Sequence, residues 1–127
     1  MADGALRITQ LDHIVLTCED VEKSLAWYTD CLGLQPERVD EWRRGEAFFP
    51  SVRIDEGTVI DLFPGPIDKG RLDHFCLVIE PTDLQAIVDS GRFDVLEGPV
   101  QRWGARGDGT SIYIRDPDGT TIELRHY

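Results

Sequence analysis

Three features of the 127-residue sequence predict an α+β fold built from two successive halves, each a strand, a helix and three further strands. The first is an internal repeat. Arg53-Ile-Asp-Glu-Gly57-Thr-Val-Ile-Asp61-Leu62 returns sixty-two residues on as Arg115-Asp-Pro-Asp-Gly119-Thr-Thr-Ile-Glu123-Leu124, and Leu11-Asp12-His13 returns as Leu72-Asp73-His74. The second is the period-two alternation of apolar residues in the repeated segments, the pattern of half-buried strands. The third is a helix start signal in each half, at Asp20 and at Thr82. The repeat predicts one domain, residues 1–127, with halves at 8–63 and 71–126.

In chain order, residues 1–6 read as a lead-in. Ile8 to Thr17 then alternates as a strand with His13, Val15 and Thr17 on one face and Ile14 and Leu16 on the other. Asp20 is placed to cap a helix over Val21 to Leu32, in which Val21, Leu25, Tyr28 and Leu32 share a stripe and Gly33 ends the run. Three strands are expected next, around Glu37 to Trp42, Ala47 to Ile54 and Thr58 to Phe63, separated by turns at Arg44-Gly45 and Asp55-Glu56-Gly57. Pro64 to Gly70 is a connector, because neither a helix nor a central strand tolerates its proline and glycine. The order then begins again. Leu72 to Glu80 is a strand with His74, Cys76 and Val78 on one face. Thr82 and Gln85 form a capping box for a helix to about Ser90, stopped by Gly91. A strand near Phe93 to Leu96 precedes a glycine-rich loop over Gly98 to Gly109, and strands Thr110 to Arg115 and Thr120 to Arg125 close the half.

Thirteen lysines and arginines against twenty-four aspartates and glutamates give a net charge of -11. That balance opposes a nucleic-acid or anionic-membrane footprint, which needs a concentrated positive face, and points to a small molecule or another protein as partner. The N-terminus has no basic segment followed by an apolar run, and no stretch approaches the length of a membrane span, so a soluble cytoplasmic protein is expected. Cys18, Cys31 and Cys76 are odd in number and show no C-x-x-C spacing; buried thiols are expected rather than disulfides or a zinc knuckle.

The repeat also predicts a site. His13, Asp61, His74 and Glu123 lie on strands whose apolar neighbours should pack on a helix, which leaves each of the four on the opposite sheet face, toward a cavity or water. A two-fold relation between the halves would match first strand to first and last to last, so the four side chains are expected to converge. Imidazole nitrogens and carboxylate oxygens together make a first shell for zinc, nickel, manganese or iron. Cys76 points the same way as His74 and is expected as a small buried thiol rather than a ligand. Arg43 and Arg44 are candidates to grip an anion, and Trp42, Phe48 and Trp103 to line an apolar wall, with solvated charges and ordinary packing as the plainer readings. The Gln101 to Gly109 stretch lacks the phosphate-loop pattern and is a candidate mobile cover.

Taken in order, Leu11-Asp12-His13, Ser24-Leu25-Ala26-Trp27-Tyr28, Leu32-Gly33, Asp73-His74, Arg115 to Gly119 and Ile122-Glu123-Leu124 resemble the vicinal oxygen chelate superfamily. That superfamily includes glyoxalase I, fosfomycin-modifying enzymes, extradiol dioxygenases and bleomycin-resistance proteins. The resemblance implies two βαβββ modules forming a curled mixed sheet around a cleft, often completed in a homodimer, with metal ligands from the first and last strand of each module. Those positions are His13, Asp61, His74 and Glu123. Glu97-Gly98-Pro99-Val100 with Gly104 to Gly107 also resembles a subgroup of glyoxalase-domain proteins. Asp61 stands where four-ligand glyoxalases carry the longer Glu, so it is either a ligand or a group behind the ligands; His13, His74 and Glu123 match the members that use two His and one Glu. The additional catalytic His and Tyr of multi-module dioxygenases, the potassium loop of fosfomycin enzymes and the glutathione contacts of glyoxalase I are not matched.

The resemblance implies a metal-dependent lyase or isomerase acting on a small oxygenated metabolite. The divalent ion would act as a Lewis acid on an enolate-like or alkoxide-like intermediate, with Glu123 or Asp61 as general base. The alternative is a metal-free dimer that sequesters a hydrophobic or cationic drug, as bleomycin-resistance proteins do, to which the acidic balance is suited. Such a protein has no chemical need of the His and carboxylate set.

Overall fold

Alternating β-branched and aromatic residues and two capped helices set the order of elements. In the computed structural model, which describes residues 6–127, that order is β1 (Ile8–Cys18), α1 (Val21–Asp30), β2 (Gln35–Glu37), α2 (Val39–Arg43), β3 (Ser51–Asp55) and β4 (Thr58–Pro64), followed by β5 (Leu72–Ile79), α3 (Leu84–Asp89), β6 (Asp94–Gly104), β7 (Gly107–Arg115) and β8 (Thr121–His126). The lead-in expected over residues 1–6 lies outside the described residues except for Leu6, which packs with the second core. The class is the expected α+β, and α2 is an addition to the first half. Among the described residues no helix is long and apolar enough to cross a membrane.

The chain separates into two units, one of residues 13–73 and the other of residues 74–127 with 6–12. In the first, the strands are ordered β2-β3-β4-β1, with β1 parallel to β4 and the remaining pairs antiparallel. In the second the order is β6-β7-β8-β5, with β5 parallel to β8, and the start of β1 lies along β5, where Thr9 Oγ1 donates to the Val78 carbonyl at 3.3 Å. Each half therefore pairs its first strand with its last. A parallel pair needs a long crossover, and the helix and two middle strands of each half supply it.

One face of each sheet is the core. In the first unit Cys18, Val21, Leu25, Val52 and Leu62 are buried together, with Tyr28, Trp42 and Ile60 against them. In the second, Ile79, Leu84, Ile112, Ile114 and Leu124 form the matching cluster under α3. The Asp20 side chain caps α1 by accepting from the Lys23 amide at 3.0 Å. The helix stops at Asp30, two residues short of expectation, because Gly33 takes a left-handed turn (φ 72°) that leaves Leu32 outside the apolar stripe and 55% exposed.

Four further expectations are corrected. The strand expected at Glu37 to Trp42 is only β2; Arg38 is left-handed (φ 56°) and ends it, and Val39 and Trp42, one helical turn apart, pack on the core from α2. β3 starts at Ser51 rather than Ala47, after Pro50, which has no amide hydrogen to give to a sheet. The cap of α3 is Asp83, not Thr82: its carboxylate accepts from the Ala86 amide at 3.1 Å, and Gln85 donates instead to Asp89. The Gly98 to Gly109 stretch is a hairpin rather than a loop, so its Gln101 to Gly109 part is paired strand and not a mobile cover, with Trp103 opposite Asp108 and a tight turn at Ala105-Arg106. Gly98 serves close approach: a Cβ there would stand 2.5 Å from the Ser111 carbonyl oxygen.

Leu62 is fully buried in the first core, so Leu62→Ala is expected to cost about 2–5 kcal/mol in urea denaturation, against about 1 kcal/mol for loss of the helix cap in Asp83→Ala.

Candidate functional site

Along β4, Ile60 and Leu62 turn toward α1, which leaves Val59, Asp61 and Phe63 on the other face. Strand pairing sets Asp61 opposite both Val15 on β1 and Ser51 on β3. His13 lies two residues before Val15 and so shares that face. Its Nε2 is 3.9 Å from Asp61 Oδ2, while Ser51 Oγ donates to Asp61 Oδ1 at 2.5 Å. The second unit repeats the arrangement. Glu123 on β8 stands opposite Cys76 and Tyr113, and His74 lies two residues before Cys76. His74 Nε2 is 3.1 Å from Glu123 Oε1, and Ser111 Oγ donates to Glu123 Oε2 at 2.7 Å. Aspartate is one methylene shorter than glutamate, in keeping with the wider gap in the first unit.

His13, Asp61, His74 and Glu123 are all buried, none more than 6% exposed, so of the two surroundings expected for them, cavity or water, open water is not the one they meet. Burial is tolerable because the polar atoms meet partners: each carboxylate accepts from a serine and approaches an imidazole.

Behind Glu123 lies a wholly buried cation. Arg125 shares the Glu123 face, and its guanidinium donates to Glu123 Oε2 at 3.2 Å and to the carbonyls of Arg102 at 2.8 Å and Gly107 at 3.1 Å. Asp12 Oδ1 lies 3.9 Å from its Nε. Gly104 and Gly109 form the socket, since a Cβ on either would stand 2.5 Å from the guanidinium. Asp12 is held in turn by the Ala105 amide at 3.0 Å and by the Tyr127 hydroxyl, and the Tyr127 ring lies 4.6 Å from Arg125. Burial by itself would lower the Arg125 pKa, but Tyr127, Asp12, Cys76 and Glu123 outweigh it and hold the guanidinium charged more firmly than usual. Burial and the bond to Asp12 push the Tyr127 phenol up to about 12.

Two more groups face the pair from the second unit. The Tyr113 ring meets the His74 ring edge-on at 5.5 Å, and burial followed by the charge of Glu123 raises its phenol well above the ordinary range, so it stays a neutral hydrogen-bond donor. Cys76 is fully buried, and burial, then Glu123 and Asp12, drive its thiol pKa far upward; it is the inert thiol expected. Cys18 is buried as well, but Cys31, at the end of α1, is exposed, contrary to expectation.

The arginines and aromatics singled out in the sequence have other partners. Arg43 forms a two-pronged bond with Glu22, Arg44 pairs with Glu46, and Trp42 packs on the first core. Phe48 is 67% exposed and packs edge-on against Phe63, and Trp103 lies on β6. The residues that sequence reasoning missed are Ser51, Ser111, Tyr113, Arg125 and Asp12. A signal was present for one of them: the Glu123-Leu-Arg125 spacing puts cation and carboxylate on one strand face.

Arg125→Met would leave Asp12 and Glu123 buried without their cation and is expected to cost about 3–5 kcal/mol in urea denaturation near neutral pH; a loss below about 1 kcal/mol would show that the guanidinium does not compensate them. In the native protein Cys31 should react with a thiol reagent promptly while Cys18 and Cys76 react only after unfolding, as following modification by mass spectrometry would show.

Comparison with known proteins supplies the context for this geometry. The chain is 31% identical over 137 residues to the glyoxalase domain-containing protein RDO1 of Mycosarcoma maydis, covering 96% of this chain and 70% of that protein. It is 31% identical over 122 residues to a Synechocystis sp. protein described as a probable lactoylglutathione lyase, covering 88% of this chain and 91% of that protein. The Mn(II)-bound glyoxalase from Novosphingobium aromaticivorans shares the fold, with a TM-score of 0.71 at 23% identity; the match covers 96% of this chain but only 40% of that larger one. A family model matches from residue 10 to residue 124, through both His and carboxylate pairs, and the chain belongs to the glyoxalase/bleomycin resistance protein/dioxygenase superfamily.

Proposed function

We propose that this chain is a metal-dependent enzyme of the lyase or isomerase class that acts on a small oxygenated metabolite, with a divalent ion of zinc, nickel, manganese or iron held by His13, His74, Glu123 and Asp61. The observation that carries this reading is the double occurrence of one device: a buried histidine Nε2 turned toward a carboxylate oxygen whose other oxygen is anchored by a serine. Neutral imidazole nitrogens with carboxylate oxygens are the donor chemistry that suits these ions. Burying such groups costs stability, and a protein that only sequesters a drug gains nothing from keeping them buried twice. The likeness to a probable lactoylglutathione lyase supports the lyase class. Cytoplasmic residence and a homodimeric state belong to the same reading, on the family resemblance.

When bound, the ion supplies Lewis acidity that stabilises enolate-like or alkoxide-like charge on the substrate. The chain's residues divide the remaining work. Glu123 is fixed by Ser111 and Arg125 and serves first as a ligand. Asp61 takes the general-base role, accepting a proton from the substrate and returning it, before Glu123, because Glu123 is held by a guanidinium as well as a serine. The neutral Tyr113 phenol, against His74, donates a hydrogen bond to an oxygen on which negative charge develops.

The test is the metal content of protein purified without chelator or affinity-tag metal. Wild type should carry about one divalent ion per chain, and His13→Ala and His74→Ala should each lose it. Metal content unchanged in the variants would sink the ligand assignment. Wild type that takes up none of the four ions but binds a cationic apolar drug would establish the sequestration alternative.

A further inference from the structure

We infer that Ser51 and Ser111 are positioning residues for the ligand carboxylates, each occupying one oxygen so that the other is the one offered to a metal ion. The inference rests on the proposed metal-binding reading and deepens it. Both serines are fully buried. Ser51 Oγ donates to Asp61 Oδ1, and the other oxygen, Oδ2, is the one that approaches His13 Nε2. Ser111 Oγ donates to Glu123 Oε2, which also accepts from Arg125, and Oε1 is the one that approaches His74 Nε2.

The backbone repeat alone does not produce this. Ser51 stands directly opposite Asp61, whereas the residue opposite Glu123 is Tyr113, and Ser111 is two residues away along β7, opposite Arg125. The same hydroxyl-to-carboxylate contact is reached from two different register positions, one suited to the short aspartate and the other to the longer glutamate. A hydroxyl has one hydrogen to give; donating it to the carboxylate fixes the orientation of the carboxylate plane about its last torsion. A carboxylate so held would offer its other oxygen to an ion. Groups of this kind, one step behind metal ligands, commonly change metal affinity by about 10–100-fold when removed.

The experiment is a cobalt(II) titration of metal-free wild type, Ser51→Ala and Ser111→Ala, read by the visible absorption of the bound ion, with the melting temperature of each metal-free protein measured alongside. Each variant is expected to bind cobalt about 10–100-fold more weakly and to show a changed absorption band, as a released carboxylate engages the ion differently, while metal-free melting moves by only a few degrees. Unchanged affinity and an unchanged band would overturn the inference. So would a lower melting temperature with an unchanged band, which is what serines serving only the fold would give. Ser51 lies on β3, outside the Arg125 socket, so Ser51→Ala decides the matter if Ser111→Ala does not fold. Failure of wild type to take up any cobalt would instead overturn the metal reading itself, an outcome visible before either variant is made.

Discussion

The register of the last strand against the first, within each half, is the constraint on which the other features depend. Val15 opposite Asp61 and Cys76 opposite Glu123 place each carboxylate across from the residue two beyond a histidine, on the histidine's own face. Because side chains alternate with period two, a slip of one residue would carry Asp61 into the cluster of Leu62 and Val52 and turn those apolar side chains away from α1 in exchange. The cores under α1 and α3 are what forbid the slip. Hydrophobic burial on one face of each sheet thus fixes polar geometry on the other.

That polar geometry is unusual in how much charge it buries. Asp12, Asp61, Glu123 and Arg125 are each at most 1% exposed. An isolated buried charge is strongly unfavourable, and a buried pair is worth keeping only where its hydrogen bonds are made and something besides stability is gained. The second unit devotes a good deal of sequence to making them. Two glycines open the socket, three backbone carbonyls face into it, and the last residue of the chain, Tyr127, closes on Asp12. Gly104 and Gly109 of the β6–β7 hairpin are therefore a requirement of the Arg125 side chain.

Much of this could be read from the sequence, and where it could not the reason is physical. The alternation gave the sheet face of His13, Asp61, His74 and Glu123, because it is a local property of a strand. Burial of those residues was not legible, since a polar residue on a sheet face looks the same in sequence whether water or protein covers it. Arg38 ended a strand through a left-handed backbone that its side chain does not announce, and Thr82 gave way to Asp83 because either side chain can cap and only the backbone decides which. Arg125 was overlooked because a cation near the chain's end is ordinarily solvated; its glycine sockets lie sixteen and twenty-one residues away in sequence.

The two halves are alike in backbone and unlike in electrostatics, and the difference lies at the next inward-facing position along the strand that bears the carboxylate. Two residues beyond Glu123 stands Arg125; two residues beyond Asp61 stands Phe63, packed with Phe48 and Phe49. The glutamate is thus anchored by a guanidinium as well as a serine, while the aspartate accepts from a serine and the next residue on its strand face is aromatic. A carboxylate that accepts from both a buried guanidinium and a serine is fixed in place by the two together. Within the proposed reading, the half that carries Arg125 is the one built to hold an ion in place. Duplication explains why there are two such pairs, and the divergence at this one strand position explains why they need not do the same work.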